Sequence, residues 1–237
     1  ITTEIGTPIK ESLDTIEWDL SYFDWFLKNG QKSLSDEITY EDEKSKHRIV
    51  YEPLGVSAVI VPWNFPFEMF LWGVIPNLIA GNTVVFKHSE ECPLTGKLIE
   101  EIMKSKDLPE GVFSEVYGDQ KVGSKLIDAD IDLIWFTGST VAGRSLYKVA
   151  GKKFIKAILE MGGSNPTIIF DDVKNIDSII PRLYSKRFLN CGQACDALKR
   201  LLVQESIFEA LANKLKTEVE KKKVDNPIEE DTDLGPL

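Results

Sequence analysis

Four short segments carry residue types able to do chemistry. Cys191-Gly192-Gln193-Ala194-Cys195 puts two thiols in a loop between a helix and a strand, where an accessible thiol can ionise and attack an electrophilic carbon. Pro62-Trp63-Asn64-Phe65-Pro66 holds an amide between two backbone-restricting prolines, so Asn64 either donates to developing negative charge or caps the helix that follows. Glu160-Met161-Gly162-Gly163 sets a carboxylate beside two glycines at a strand end, where a ligand or a backbone can come close; the bland alternative is an exposed surface carboxylate. Phe136-Thr137-Gly138-Ser139-Thr140-Val141-Ala142-Gly143 runs from a strand into a helix. Its leading N–H groups and Ser139 could hold a phosphate, although a plain strand-to-helix turn uses the same residues. The cysteine spacing would also suit a metal, but His47 and His88 are remote in sequence, so no metal centre is expected.

These segments need a scaffold to position them. After Pro53, short β-branched runs alternate with apolar-periodic helices, the pattern of an α/β protein with a parallel sheet covered on both faces. Strands are predicted at 56–61, 83–87, 113–116, 133–137, 155–159 and 167–170, with helices near 67–80, 93–106, 121–128 and 141–151. Upstream, Ile9, Leu13, Ile16, Leu20 and Phe23 follow Pro8 at helical spacing, and Asn29-Gly30 is the expected stop. Residues 33–50 read as an exposed β-hairpin or arm. Beyond Asn175 come a helix to about 188, a strand at 201–203 and an amphipathic helix over 207–222.

The 237 residues carry 28 Lys+Arg against 38 Asp+Glu, a net charge of −10, which gives no cationic face for a nucleic acid backbone. No apolar run is long enough to span a membrane, and no secretory signal opens the chain. With 3 cysteines, the chain is expected in a reducing, cytoplasmic setting.

Taken together and in order, the four segments resemble the NAD(P)-dependent aldehyde dehydrogenase superfamily. Lys87-His88-Ser89-Glu90 and the stretch from Leu108 to Phe113 extend the match, and the general pattern is similar to the semialdehyde dehydrogenases. The resemblance implies a Rossmann-like domain over 1–160 that binds the cofactor and carries the exposed arm, followed over 161–237 by the beginning of an incomplete catalytic domain. It implies Cys195 as nucleophile, Glu160 as general base and Asn64 as oxyanion donor, working through a thioester to oxidise an aldehyde such as succinate semialdehyde. It also implies cofactor contacts at Pro62, Trp63, Lys87, Glu90, Gly123, Phe136, Gly138, Ser139, Gly143 and Met161. Because the Glu90 carboxylate accepts from a ribose 2′-OH and repels a 2′-phosphate, NAD is expected over NADP.

This sequence departs from the family pattern at His88, where proline is usual, and at Ser164, where lysine is usual. Cys191 is a further departure, read either as a small buried residue or as a partner for a reversible disulfide with Cys195. Family members are about twice as long. The intact fold is expected to be a dimer or tetramer, and a complementary C-terminal half would cover the apolar faces around 201–203 and 207–222. Two rival readings remain: a non-catalytic remnant that binds nucleotide or a partner chain, and a relative that passes the acyl group to an acceptor other than water. Glu160 argues against the second, since a hydrolytic base serves only water.

Overall fold

A computed structural model describes residues 1–105 and 107–236. Two compact units are present, one formed by Thr15–Glu160 and the other by Ile1–Asp14 with Met161–Leu237. The chain passes from one unit to the other after Glu160. Residues 1–14, however, group with the second unit and not with the domain expected over 1–160.

The chain opens with helices α1 (Thr2–Ile5) and α2 (Ile9–Ser33), then a hairpin of β1 (Glu37–Glu41) and β2 (Lys46–Ile49). Every residue of the hairpin strands is exposed. Its turn is held by Asp42, which accepts from the Lys44 and Ser45 N–H groups at 2.8 and 2.7 Å. Next come β3 (Val56–Ile60), α3 (Pro66–Ile79), β4 (Thr83–Lys87), α4 (Pro93–Lys104), β5 (Phe113–Glu115), α5 (Gln120–Asp128), β6 (Leu133–Gly138), α6 (Thr140–Lys153) and β7 (Lys156–Met161). The expected end of the fourth helix at Lys106 lies outside the described residues.

Strands β3 to β7 make one sheet in the order β5-β4-β3-β6-β7. β3 pairs in parallel with both β4 and β6, and β4 in parallel with β5. The first strand of the series is central, the next two lie to one side and the last two to the other. That is the doubly wound arrangement, with a topological switch between β3 and β6. Period-two alternation divides the core between the two faces. Val59, Val61 and Trp135 pack with Phe70, Val74, Phe86 and Ile99 on one side, while Ala58, Ile134 and Phe136 pack with Leu126, Ile127 and Ala150 on the other. At the amino edge of the sheet, Asn82 accepts from the Leu54 and Gly55 N–H groups, and Asp132 accepts from the Val56 N–H. These side chains are spent on starting the strands.

The second unit contains β8 (Asn165–Ile169), α7 (Ile176–Phe188) and β9 (Leu198–Val203), followed by α8 (Glu205–Glu220). β8 and β9 pair in parallel. Ile169, Ile180, Leu183, Leu198 and Leu211 form its core, with Leu201, Val203, Ile207 and Leu215 packed against them. Of the apolar faces expected to be bare, Leu211 is buried at 1% exposure, Leu201, Val203, Ile207 and Leu215 are half-buried, and Leu202 and Phe208 are exposed. A groove of about 410 Å³ remains along α8, edged by the half-exposed Phe208. Among the described residues no helix is long and apolar enough to cross a membrane.

One sequence expectation fails with a clear cause. α2 does not stop at Asn29-Gly30; it continues to Ser33, and Asn29 turns back to donate to the Trp25 carbonyl at 2.8 Å. Gly30 is buried, and a Cβ there would meet Ile79 Cγ2 of α3 at 2.5 Å. Glycine is therefore required by the close approach of two helices and not by a cap. Gly30→Ala should destabilise the protein by about 1–3 kcal/mol through overpacking, although alanine favours an exposed helix by about 1 kcal/mol. Urea unfolding checks the sign, and the double variant Gly30→Ala/Ile79→Ala should recover part of the loss.

Candidate active site

In a doubly wound sheet, ligands gather outside the carboxyl ends of the strands, at the switch point. That edge collects most of the residues singled out from the sequence. β3 leads into Val61-Pro62-Trp63-Asn64, β4 ends at Lys87 with Glu90 three residues on, β6 ends at Gly138, and β7 carries Glu160. β7 lies two strands from β3, about 10 Å across the sheet.

Asn64 is not the cap of α3. The helix begins at Pro66 with Phe65 in the capping position, which leaves Asn64 in the bend between strand and helix. This bend is tied to its neighbour, because the buried Cys92 thiol at the start of α4 donates to the Trp63 carbonyl at 3.3 Å. Trp63 itself is 39% exposed.

Lys87 is 3% exposed, and its ammonium donates to the His88 carbonyl at 3.0 Å and lies 3.5 Å from the Glu90 carboxylate. Glu90 is half-exposed, so a buried cation holds an accessible carboxylate at the rim. His88 is fully enclosed: Nδ1 is 2.6 Å from Glu115 Oε1, the ring meets Tyr117 edge-on, and Gly96 leaves room for it. Burial pushes the Glu115 carboxyl up, and its bond to His88 opposes that rise. The histidine that replaces the usual proline is thus a packed structural group.

Phe136 and Ser139 do less at the surface than expected. The Phe136 ring is buried in the core and packs under Gly138, which it supports from below. Ser139 caps α6, its Oγ accepting from the Ala142 N–H at 3.2 Å, so the side chain is committed to the turn. Between them Thr137 Oγ1 is buried with no hydrogen-bond partner among the described residues. Such an orphaned hydroxyl at a strand end suits a ligand group, and no sequence signal had marked it. Gly143 and Gly123 are both buried, Gly123 facing the Lys87 stem at about 3.7 Å from where a Cβ would sit. The accessible Glu90, the orphaned Thr137 hydroxyl and the Cβ-free Gly138 at one switch point fit a dinucleotide. Among the described residues no group of three or more His, Cys, Asp or Glu is placed to hold a metal.

In the second unit the thiol loop follows α7. Asn190, Cys191 and Gly192 all take left-handed backbone angles, with φ of 51°, 55° and 81°. For the two non-glycines this is strained, and the surroundings hold it in place. The fully buried Asn190 accepts from the Thr7 hydroxyl, and its N–H donates to the Glu11 carboxylate. Gln193 donates to the Ile5 carbonyl at 3.2 Å, and the Cys191 thiol donates to the Gly6 carbonyl at 3.7 Å. The N-terminal segment is therefore a clamp on the loop, invisible from sequence because its partners lie some 180 residues away.

Past the strained turn the chain presents Cys195 at the surface. Its carbonyl accepts from the Asn165 amide at 2.7 Å, and a Cβ on Gly163 would come within 2.6 Å of it. The second glycine after Glu160 thus admits the backbone of the thiol loop. Met161 and Glu160 are both exposed. Cys191 is buried, and burial pushes its thiol up from the usual range. None of the three cysteines is in a disulfide. Cys191 is the small buried residue of the two readings, and Cys195 is the accessible thiol.

The sequence model of the aldehyde dehydrogenase family matches residues 1–237. A glutarate-semialdehyde dehydrogenase of Pseudomonas putida is 34% identical over 100% of this chain and 50% of its own length. A succinate-semialdehyde dehydrogenase of Escherichia coli named for NADP(+) is 33% identical over 100% of this chain and 49% of its own. A solved structure of PnpE in complex with nicotinamide adenine dinucleotide superimposes with a TM-score of 0.91 at 31% identity, covering 100% of this chain and 49% of that one. The chain thus spans about half the length of the curated relatives it matches.

Brief iodoacetamide treatment at neutral pH should label Cys195 about tenfold or more faster than the buried Cys191 or Cys92, as exposure dictates. Peptide mass mapping checks this, and equal labelling would contradict the packing of the loop.

Proposed function

The chain belongs to the aldehyde dehydrogenase family, and we propose that the protein carrying it oxidises an aldehyde to a carboxylic acid with NAD or NADP. The observation that carries this reading is the contrast between two thiols four residues apart, one buried and pushed away from ionisation, the other exposed at the end of a strained and clamped turn.

In this reading the Cys195 thiolate adds to the aldehyde carbon, and the Asn64 amide donates to the oxygen as it becomes negative. A bound nicotinamide dinucleotide supplies the acceptor for the hydride that leaves that carbon. The acyl group stays on Cys195 as a thioester. Glu160 takes a proton from the water that attacks it, and the acid departs with the thiol restored. Lys87 and Glu90 would hold the adenosine ribose, with Gly138 and the Thr137 hydroxyl near the phosphates. The accessible Glu90 carboxylate favours a ribose 2′-OH over a 2′-phosphate, which supports NAD as the preferred cofactor. The substrate is an aldehyde with a polar group at its far end, of which succinate semialdehyde is the instance read from the sequence and semialdehydes are the class named in the relatives.

Cys195→Ser should abolish NADH formation, a loss of at least about a thousandfold, while dinucleotide binding persists. Retained activity in that variant, with loss in Cys191→Ser, would move the nucleophile. Glu90→Ser should raise the use of NADP relative to NAD by about tenfold. An unchanged ratio of kcat/KM values would remove Glu90 from the ribose.

A further inference from the structure

Between α7 and Cys195 the chain makes one closed turn of a left-handed helix. Asn190 and Cys191 have φ/ψ of 51°/45° and 55°/25°, Gly192 has φ of 81°, and the Gln193 N–H returns to the Asn190 carbonyl at 2.9 Å. L-residues avoid successive left-handed angles because Cβ crowds the following carbonyl, so this turn needs support from outside. Like any helical turn it also begins with an N–H that has no partner within it. That leading N–H, of Asn190, donates to the Glu11 carboxylate.

The other supports are neutral. Thr7 donates its hydroxyl to the Asn190 side chain, Gln193 donates to the Ile5 carbonyl at 3.2 Å, and the Cys191 thiol donates to the Gly6 carbonyl at 3.7 Å. The Glu11 contact is charge-assisted, and such bonds are about twice as strong as neutral ones. Five residues beyond Asn190, the Asn165 amide holds the Cys195 carbonyl at 2.7 Å. The place of the thiol is therefore set between the capped turn on one side and Asn165 on the other.

Resting on the aldehyde-oxidising reading, we propose that Glu11 is a positioning residue for the Cys195 thiol: its carboxylate caps the left-handed turn at Asn190 and so keeps the loop in the form that presents Cys195 to the substrate. Glu11 touches no reacting atom and acts through the turn alone. Cys191 lies inside the same turn, so its burial reports whether the cap is in place.

A carboxylate used in this way ties the loop to pH. Asp14 on its own helix, Cys191 in the loop and Tyr184 on α7 are the titratable groups that face Glu11, and all three are acids. Burial pushes the Glu11 carboxyl up from the ordinary glutamate range, the Asn190 N–H opposes the rise, and Asp14 adds to it. With the folded pKa above the unfolded one, the contribution of Glu11 to stability is fully present below the unfolded value and is lost as pH rises through the folded one. Proton uptake thus stabilises the fold as a whole while it weakens the acceptor that caps the turn. As pH falls, loop order and global stability move in opposite directions, which a carboxylate serving the fold alone would not give.

The test compares the unaltered protein with Glu11→Gln, which keeps the shape of the side chain without its charge, and Thr7→Val, which removes a neutral support of the same turn. N-ethylmaleimide labelling with peptide mass mapping reads the turn through Cys191, and Cys92, buried in the other unit, is the control for general unfolding. At about pH 8, Glu11→Gln should label at Cys191 about tenfold or more faster than the unaltered protein, with Cys92 unchanged. The excess should shrink as pH falls toward about 5, where the unaltered protein also carries a neutral Glu11, whereas Thr7→Val should keep its excess throughout. Thermal unfolding of Glu11→Gln at about pH 8 should show a midpoint no lower than that of the unaltered protein, which also shows that the variant folds. In oxidation of butanal, Glu11→Gln should lower kcat about tenfold or more and leave KM for NAD unchanged, because the thiol is displaced and the dinucleotide edge is not. Cys191 as protected in Glu11→Gln as in the unaltered protein, excess labelling that does not fade in acid, or release of Cys191 with kcat unchanged overturns the inference. If the unaltered protein forms no NADH from any aldehyde, the aldehyde-oxidising reading fails, while release of Cys191 in Glu11→Gln still upholds the cap.

Discussion

Parallel pairing of β3 with both of its neighbours is the constraint on which the site depends. Parallel strands cannot be joined by tight hairpins; each needs a crossover, here a helix, that returns the chain to the starting edge. All carboxyl ends consequently emerge on one side, and the direction change between β3 and β6 opens a crevice there. Lys87, Thr137, Gly138 and the Asn64 bend share that edge because of topology, although they lie tens of residues apart in sequence. The amino edge has the opposite character. Its polar side chains, Asn82 and Asp132, accept hydrogen bonds from strand backbones.

The thiol loop follows a second logic, in which strain is held by distant contacts. Left-handed angles at Asn190 and Cys191 would relax in an isolated peptide. Thr7, Glu11 and the carbonyls of Ile5 and Gly6 hold them, and Asn165 holds the carbonyl of Cys195 further on. One consequence is a division of labour between thiols. Cys191 is taken into the packing and kept from ionising, while Cys195 is left accessible.

Buried carboxylates in this protein receive two treatments. Glu115 has the His88 ring at 2.6 Å, and the pair is an internal strut between β5 and the loop after β4. Asp19 has no such partner and faces a second acid among aromatic rings. A structural role accounts for the first arrangement.

Much of this was legible in the residues themselves. Alternation of short β-branched runs with periodic helices marked the parallel sheet, since burial of both faces demands that pattern, and the strands fall within a residue or two of expectation apart from β9, which begins three residues early. Cys195, Glu160, Asn64, Lys87 and Glu90 stood out because their motifs and spacing resemble those of the aldehyde dehydrogenase family. Three matters needed the tertiary structure. Gly30 read as a cap but answers to Ile79. The N-terminal clamp and the Asp19 cluster left no local trace. In each case the deciding partner is distant along the chain, and burial, clash and hydrogen-bond satisfaction are properties of a place in space that a one-dimensional pattern does not encode.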